Sequence, residues 1–373
     1  MNPVKHDARR LPSLDGLRAV AAMMVVFAHC QATQGWPDWR LLNEAIKTAS
    51  GFLGVQVFFV ISGFIITRLL LLEKLDAGAV SLPRFWSRRF LRIIPPLAVY
   101  LLCLSLLKAQ GAVSLTTLSQ VGSLFFFRNH LPEADGLNAH CWSLSVEEQF
   151  YLAWPFCVAF LQLKHLRTVA LTVMVISLVA RTATNALGGT EWRWLIYHAD
   201  CLMAGALAAI WLQEKGFEVI KPLKRSGIIW HFVGLMGMLI LSRACATNLS
   251  RFFAPIQPTF VAVFVAWWIL RLVSVREGVT YAILNTRVAI WLGAISYSTY
   301  LWQQLVSAPA KSWHHGTPWF AHFPLNVPMC IVAGALSYYL LEKPLQNLRR
   351  RWDAWMGIKS KTLPTAPVEP AGN

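Results

Sequence analysis

Ten stretches of predominantly apolar residues, at about 17–34, 52–72, 91–107, 144–163, 168–186, 195–213, 228–243, 256–274, 286–308 and 325–342, divide this chain almost end to end. Each reaches or approaches the ~20 residues that carry an α-helix across a hydrocarbon core about 30 Å thick. That pattern leaves few folds open, because backbone polar groups in lipid must find partners inside a helix or a closed barrel, and runs this long select helices. The expectation is an all-α, polytopic integral membrane protein of about ten transmembrane helices. Composition agrees: 56% of the residues are hydrophobic and 14% charged, against about 45–50% and 25% in soluble domains. A weaker apolar stretch, 115–127, reads as an interfacial or re-entrant helix.

A net charge of +16 would point to nucleic acid in a soluble protein. Here the positive residues fall between apolar spans, so topology accounts for them and no nucleic-acid partner is expected. With the N-terminus inside, 25 of the 34 Lys and Arg residues lie on inner segments and nine on outer ones. That bias places both termini in the cytoplasm, with membrane lipid as the surrounding medium. The first apolar run follows Arg9, Arg10 and Arg18 and leads directly into further spans, so it reads as a retained helix rather than a cleavable signal peptide. One transmembrane domain over 1–350 is expected, followed by a polar, Pro-containing tail, 351–373, read as a disordered cytoplasmic segment. The seven Cys form no CxxC pair or metal-ligand spacing, and His314 and His315 read as a solvated pair, so no metal is expected.

Ionisable side chains within a span cost several kcal/mol unless they face the protein interior, which makes each a functional candidate. Arg18 and His29 are eleven residues apart, three turns plus about 20°, so they share one helix face about 16 Å from each other. A guanidinium at the inner surface suits the phosphates of a cytosolic cofactor. A buried imidazole can act as general base on a hydroxyl nucleophile. A positive-inside Arg and a structural His would account for the same two residues. The fourth span opens with His140-Cys141-Trp142-Ser143-Leu144-Ser145-Val146-Glu147-Glu148. Ser143 or Ser145 can cap that helix, and one glutamate can favour its positive end while the other enters the bundle and orients or charge-balances His29. Arg88, Arg89 and Arg92 form a dense cationic patch that fits anionic headgroups or a polyphosphate such as coenzyme A. Asp200 lies inside the sixth span and needs a partner. Ser296-Tyr297-Ser298-Thr299-Tyr300 is a polar stripe in the ninth that either lines a cavity or ties helices together.

These residues resemble the acyltransferase-3 family of membrane O-acyltransferases over about residues 10–350. The resemblance rests on Leu14-Asp15-Gly16-Leu17-Arg18 with the Arg-x10-His run to His29, Gly54-Val55 through Ile61-Ser62-Gly63, and Arg89-x-x-Arg92. It continues through Trp142 to Tyr151, Ile295 to Ser298 with Tyr300-Leu301-Trp302, and Glu342-Lys343-Pro344. It implies acyl transfer, usually of acetyl, from cytosolic acyl-coenzyme A to a hydroxyl of a surface or exported glycan or glycolipid, in the bacterial cytoplasmic (inner) membrane. His29 resembles the family's catalytic histidine, Glu147 and Glu148 its glutamate motif, and Arg18, Arg89 and Arg92 its cofactor-side residues. His140, Ser143, Asp200 and Tyr297 are further polar candidates for substrate or structural roles. Where relatives carry His after Tyr-Leu-Trp, this chain has Gln303. Many relatives also append an extracytoplasmic SGNH hydrolase-like domain, for which this chain has no room. The expectation is therefore direct transfer or hand-over to a separate extracytoplasmic partner. A secondary transporter of a glycan or small polar metabolite is the competing reading, weakened by the lack of an inverted repeat.

Overall fold

The computed structural model describes residue 11 and residues 13–132, 136–189, 192–216, 227–245 and 250–355. Among the described residues the chain is helical, without strands. Its principal helices are α1 (Leu14–Cys30), α2 (Arg40–Thr48), α3 (Gly51–Ala77), α4 (Leu82–Ala109), α5 (Thr117–Leu124), α6 (Cys141–Phe160) and α7 (Leu163–Ala186). They continue with α8 (Ala199–Lys215), α9 (Gly227–Cys245), α10 (Gln257–Ser274), α11 (Arg287–Ala294), α12 (Ser296–Val306), α13 (Asn326–Ser337) and α14 (Lys343–Trp355). Four stretches are long and apolar enough by themselves to cross a membrane: 40–77, α4, α7 and α10. In α7 only 17% of the apolar window is buried, leaving Leu171, Val175 and Val179 exposed. A surface of that kind takes hydrocarbon rather than water as its solvent.

The apolar stretches fall on helices, with two departures that matter for function. The ninth stretch is not continuous: the helix breaks at Ile295, separating α11 from α12. The tenth leaves α geometry after Ser337, passes through a π-helical turn at Tyr338–Glu342, and re-enters α14. Such turns often re-aim a side chain at a functional site. The weak 115–127 stretch contributes only α5, eight residues whose start is capped by the Thr116 hydroxyl accepting from Ser119 N at 3.2 Å.

α3 is the hub, packed most extensively on α8 and also on α1, α6 and α10. Close approach explains why small residues stand where they do. A Cβ on Gly63 would lie 1.9 Å from Leu202 O, and one on Gly205 2.0 Å from Val60 O. The α3 and α8 backbones are therefore in direct contact, the arrangement that lets helices associate when lipid offers no hydrophobic driving force. Lys74 then ties α3 to the end of α6: its ammonium donates to Val158 O, Ala159 O and Leu161 O at 2.8, 3.0 and 2.9 Å. These are the orphan carbonyls of a helix C-terminus.

Three arginines counted as outer-segment charges are interior. Arg128, Arg181 and Arg193 are 0%, 9% and 7% exposed, so fewer charges remain at that surface than segment counting suggests. α14 runs to Trp355, so 351–355 are helical rather than part of a disordered tail. Residues 356–373 lie outside the described residues, as do Lys5, Arg9, Arg10, Lys221, Lys224 and Arg225.

Candidate active site

A cleft opens between α1, α3, α4, α6 and α12. Ser143, Glu147 and Tyr151 line it from α6. Their spacing of four is one helix face, so the cleft follows α6 for about 12 Å. α4 contributes Arg89, Arg92 and Ile93, and α1 contributes Arg18. The break at Ile295 lets α12 begin at the cleft, so Ser296, Tyr297 and Tyr300 face into it. Val55, Phe58, Phe59 and Leu144 make the apolar wall.

The arginines cluster at one end and are loosely held. The Arg89 guanidinium lies 3.8 Å from the centroid of the Tyr151 ring and 3.8 Å from Glu148 Oε1, while its buried Nε has no hydrogen-bond partner. Arg18 faces Asp15 at 3.6 Å, beyond hydrogen-bond reach. Arg92 makes no hydrogen bond or ion pair among the described residues. Glu147 accepts a hydrogen bond from Ser62 Oγ at 2.7 Å. The π-helical turn delivers Glu342, 1% exposed, to the same neighbourhood, where its carboxylate accepts from the Ser298 hydroxyl. Tyr297, from α12, donates to Ile93 O at 2.9 Å, in the stretch of α4 just before Pro95 and Pro96.

At the other end of the cleft, Ser143 and Tyr300 are hydrogen-bonded to one another and their oxygens lie 3.1 and 3.0 Å from the His140 carbonyl, so one hydroxyl donates to that carbonyl while the other donates to its neighbour. The His140 ring is 4% exposed and fixed by Nε2 against Leu301 O at 3.0 Å. A carbonyl only accepts, so Nε2 carries the proton, and the buried Nδ1 has no partner. His29 lies within electrostatic range of His140. By the same reasoning its Nδ1, 2.9 Å from Val25 O, is the protonated nitrogen. In the neutral ring this leaves Nε2 of His29 with the free lone pair that a general base requires. The carbonyl one turn back supplies this orientation, not a glutamate. Among the described residues neither Glu147 nor Glu148 bonds to His29, and both stand with the arginines. His29 itself is beyond the residues that line the cleft.

Asp200 belongs elsewhere. Arg181 grips its carboxylate with two parallel bonds of 3.0 and 2.6 Å, and Thr259 Oγ1 and Cys201 N add bonds of 2.7 and 3.0 Å. The Arg181 side chain also reaches Pro255 O and Tyr197 O. The cluster ties α7 to α8 and α10 and lines no part of the cleft. Gln303 likewise stays out of it, bonded to Gln304 and Ser307.

Reading the sequence alone assigned no role to Ser62, Tyr151 or Glu342, took Tyr300 only as part of a stripe that lines a cavity or ties helices, and counted Arg181 as an outer-segment charge. For Glu342 a signal was present: an acid at the end of an apolar stretch is as costly as one in its middle.

The family profile described as the acyltransferase domain matches residues 11–356. The chain is 26% identical over 378 residues to the peptidoglycan O-acetyltransferase of Listeria monocytogenes, covering 92% of this chain and 57% of the relative. A Bacillus subtilis protein provisionally named for the same activity is 27% identical over 371 residues, covering 91% of this chain and 55% of the relative. A Staphylococcus aureus protein provisionally named an O-acetyltransferase is 27% identical over 369 residues, covering 91% and 58%. The chain thus spans little more than half the length of these curated relatives. No solved structure matches it. With the matched region taking in every helix that builds the cleft, from Arg18 of α1 to Glu342 ahead of α14, this chain belongs to the acyltransferase-3 family.

Proposed function

We propose that the protein is a membrane O-acetyltransferase that moves an acetyl group from cytosolic acetyl-coenzyme A to a hydroxyl of a surface or exported glycan. In this reading the ten apolar segments all span the bacterial cytoplasmic membrane, with both termini in the cytoplasm. The arginine end of the cleft faces the cytosol, and the His29 end faces the far side. The observation that carries the reading is the cleft itself, with guanidiniums at one end and hydroxyls at the other, close to two imidazoles. Names borne by the relatives in Listeria and Bacillus favour a glycan acceptor, peptidoglycan among them.

The donor's phosphates are held by Arg18, Arg89 and Arg92. The fit is supported by Arg92, which makes no hydrogen bond or ion pair among the described residues, and by the unpartnered Nε of Arg89. The apolar wall of Val55, Phe58 and Phe59 accepts the uncharged part of the donor. His29 Nε2 takes the proton from the acceptor hydroxyl as its oxygen bonds to the thioester carbonyl carbon. The carbon–sulfur bond then breaks, and the thiol leaves with the proton returned by His29. General-base assistance of this kind is worth about 10²–10⁴ in rate. Glu147, held by Ser62, balances the cationic end rather than orienting the base.

The experiment is transfer of labelled acetyl from coenzyme A into base-labile form in an envelope glycan fraction. It compares membranes carrying the wild-type chain with membranes carrying His29→Ala at equal protein level. Label that depends on His29 supports the reading. Equal label from both removes His29 from the chemistry, and acyl-coenzyme A that is never consumed by the wild type removes the donor.

A further inference from the structure

Next to the His29 end of the cleft stands an aromatic assembly that the reaction as described does not use. Gly51 fixes its depth: a Cβ there would lie 3.0 Å from the Ala28 side chain, so Phe52 sits at the level of His29. From Phe52, ring contacts run to Trp192 at 5.7 Å and to His198 at 5.6 Å. Trp142 touches both of those rings at 5.0 Å. Phe59, which lines the cleft, contacts Trp142 and His198 and joins the assembly to it.

The assembly braces two exposed indoles. Trp192 is 41% exposed and Trp194 39% exposed, in the segment between α7 and α8. The Trp192 carbonyl accepts from His198 Nε2 at 2.7 Å, which pins the backbone beneath the ring. Trp194 stacks on Tyr197, with centroids 6.1 Å apart and planes 15° apart. His130 lies beside Trp194 at 5.6 Å, and Asn129 and Gln149 form a bonded amide pair behind it. Tryptophans that only anchor a helix at a membrane interface need no buried ring support. Two half-exposed, braced indoles, with the Arg193 guanidinium 6.0 Å from the Trp192 ring and the exposed His130 imidazole beside Trp194, instead match a pyranose. Such a ring presents an apolar, weakly positive C–H face to the electron-rich aromatic face and directs its hydroxyls outward.

We propose that Trp192 and Trp194 form a sugar-stacking subsite that holds a pyranose of the glycan acceptor beside the His29 end of the cleft. This rests on the O-acetyltransferase reading for its acceptor, but binding can be measured without the reaction. The full chain in detergent micelles, with no acyl donor, is mixed with a tetramer of β-1,4-linked N-acetylglucosamine, and saturation transfer from protein to sugar is recorded by NMR. The expected result is a clear signal on the ring protons with wild type. That signal falls about fivefold or more in the Trp192→Ala/Trp194→Ala pair and largely survives in Trp192→Phe/Trp194→Phe. Undiminished signal in the alanine pair overturns the proposal. So does a lower melting temperature with sugar binding intact, which identifies membrane anchors. Absence of signal from the wild type, or its loss in the phenylalanine pair at unchanged melting temperature, also overturns it. Wild-type binding without acetyl transfer to the tetramer would count against the reaction while leaving the subsite in place.

Discussion

The Arg181–Asp200 cluster allows a structural role to be separated from a catalytic one by energy. In Asp200→Ala, four donors lose one acceptor each: the two Arg181 nitrogens, Thr259 Oγ1 and Cys201 N, of which Cys201 N keeps His198 O and one Arg181 nitrogen keeps Thr259 Oγ1. Arg181 keeps the carbonyls of Pro255 and Tyr197 at 2.9 and 2.6 Å, so its charge stays buried but not bare. Breaking a buried pair costs about 3–5 kcal/mol, and these residual bonds place the loss near 3 kcal/mol. Arg181→Met strands the carboxylate and should cost about as much. Replacing both, as Arg181→Met with Asp200→Leu, removes the desolvation penalty along with the attraction. It should cost only about 1–2 kcal/mol, leaving a coupling of about 4 kcal/mol. Equilibrium unfolding in mixed detergent micelles, followed by near-UV circular dichroism, reads these differences. Transfer activity per folded molecule should stay at the wild-type level in the double variant, since no member of the cluster lines the cleft. Additivity within about 0.5 kcal/mol would refute the coupled-pair argument. A stable but inactive double variant would return Asp200 to the chemistry.

Arg92→Ala should raise the apparent KM for acetyl-coenzyme A at least tenfold with little change in unfolding midpoint, because among the described residues Arg92 has no hydrogen bond or ion pair to lose; a lowered midpoint would point to a structural role. Arg89→Ala should do both, losing the contact over Tyr151, worth about 0.5–2 kcal/mol, as well as the donor, as paired kinetics and unfolding would show. Gly205→Ala should destabilise by about 1–3 kcal/mol or more, since its new methyl group meets Val60 O at 2.0 Å; a neutral effect on thermal unfolding would mean that α3 and α8 separate freely. Lys74→Met should cost about 1.5–3 kcal/mol by stripping three carbonyls of a charged donor, read from the same unfolding curves.

Helix positions were legible because lipid imposes a length on each apolar run, and that length is written locally. Charge was harder to place. Sorting lysines and arginines by segment cannot tell Arg181, wedged between helices, from a loop residue, since its partner lies 19 positions away on the next helix. The cost argument correctly required a partner for Asp200 but could not name it. Arg18, Arg89, Arg92 and Glu147 were singled out separately, and the structure brings all four to one cleft. The glutamate–His29 contact that the sequence allowed does not form, because Glu147 is bonded to Ser62 and Glu148 faces Arg89. Neither the break at Ile295 nor the π-helical turn before Lys343 has a strong local signature. Yet these two irregularities bring Tyr297, Tyr300 and Glu342 to the site.

Arginine–carboxylate pairing occurs in two forms in this protein, and the contrast bears on function. Arg181 and Asp200 meet as a two-bond fork at 2.6 and 3.0 Å, with further donors and acceptors completing both groups. Arg18 and Arg89 face Asp15 and Glu148 at 3.6 and 3.8 Å, and among the described residues Arg92 faces no carboxylate within ion-pair distance. A fold able to build the tight fork gains nothing in stability from leaving three guanidiniums half-paired, since an unmet buried donor costs about 1–3 kcal/mol. The cost becomes useful if those donors are needed by something that comes and goes. A multiply charged ligand can then take the guanidiniums without first breaking strong bonds, while the hydroxyls of Ser62 and Ser298 keep Glu147 and Glu342 from collapsing onto them. Removing a restraining hydroxyl should therefore weaken donor binding. Ser62→Ala would free Glu147 to pair with an arginine, raising the KM for the donor with little change in kcat. An unchanged KM would show that the looseness of the cationic end has another origin.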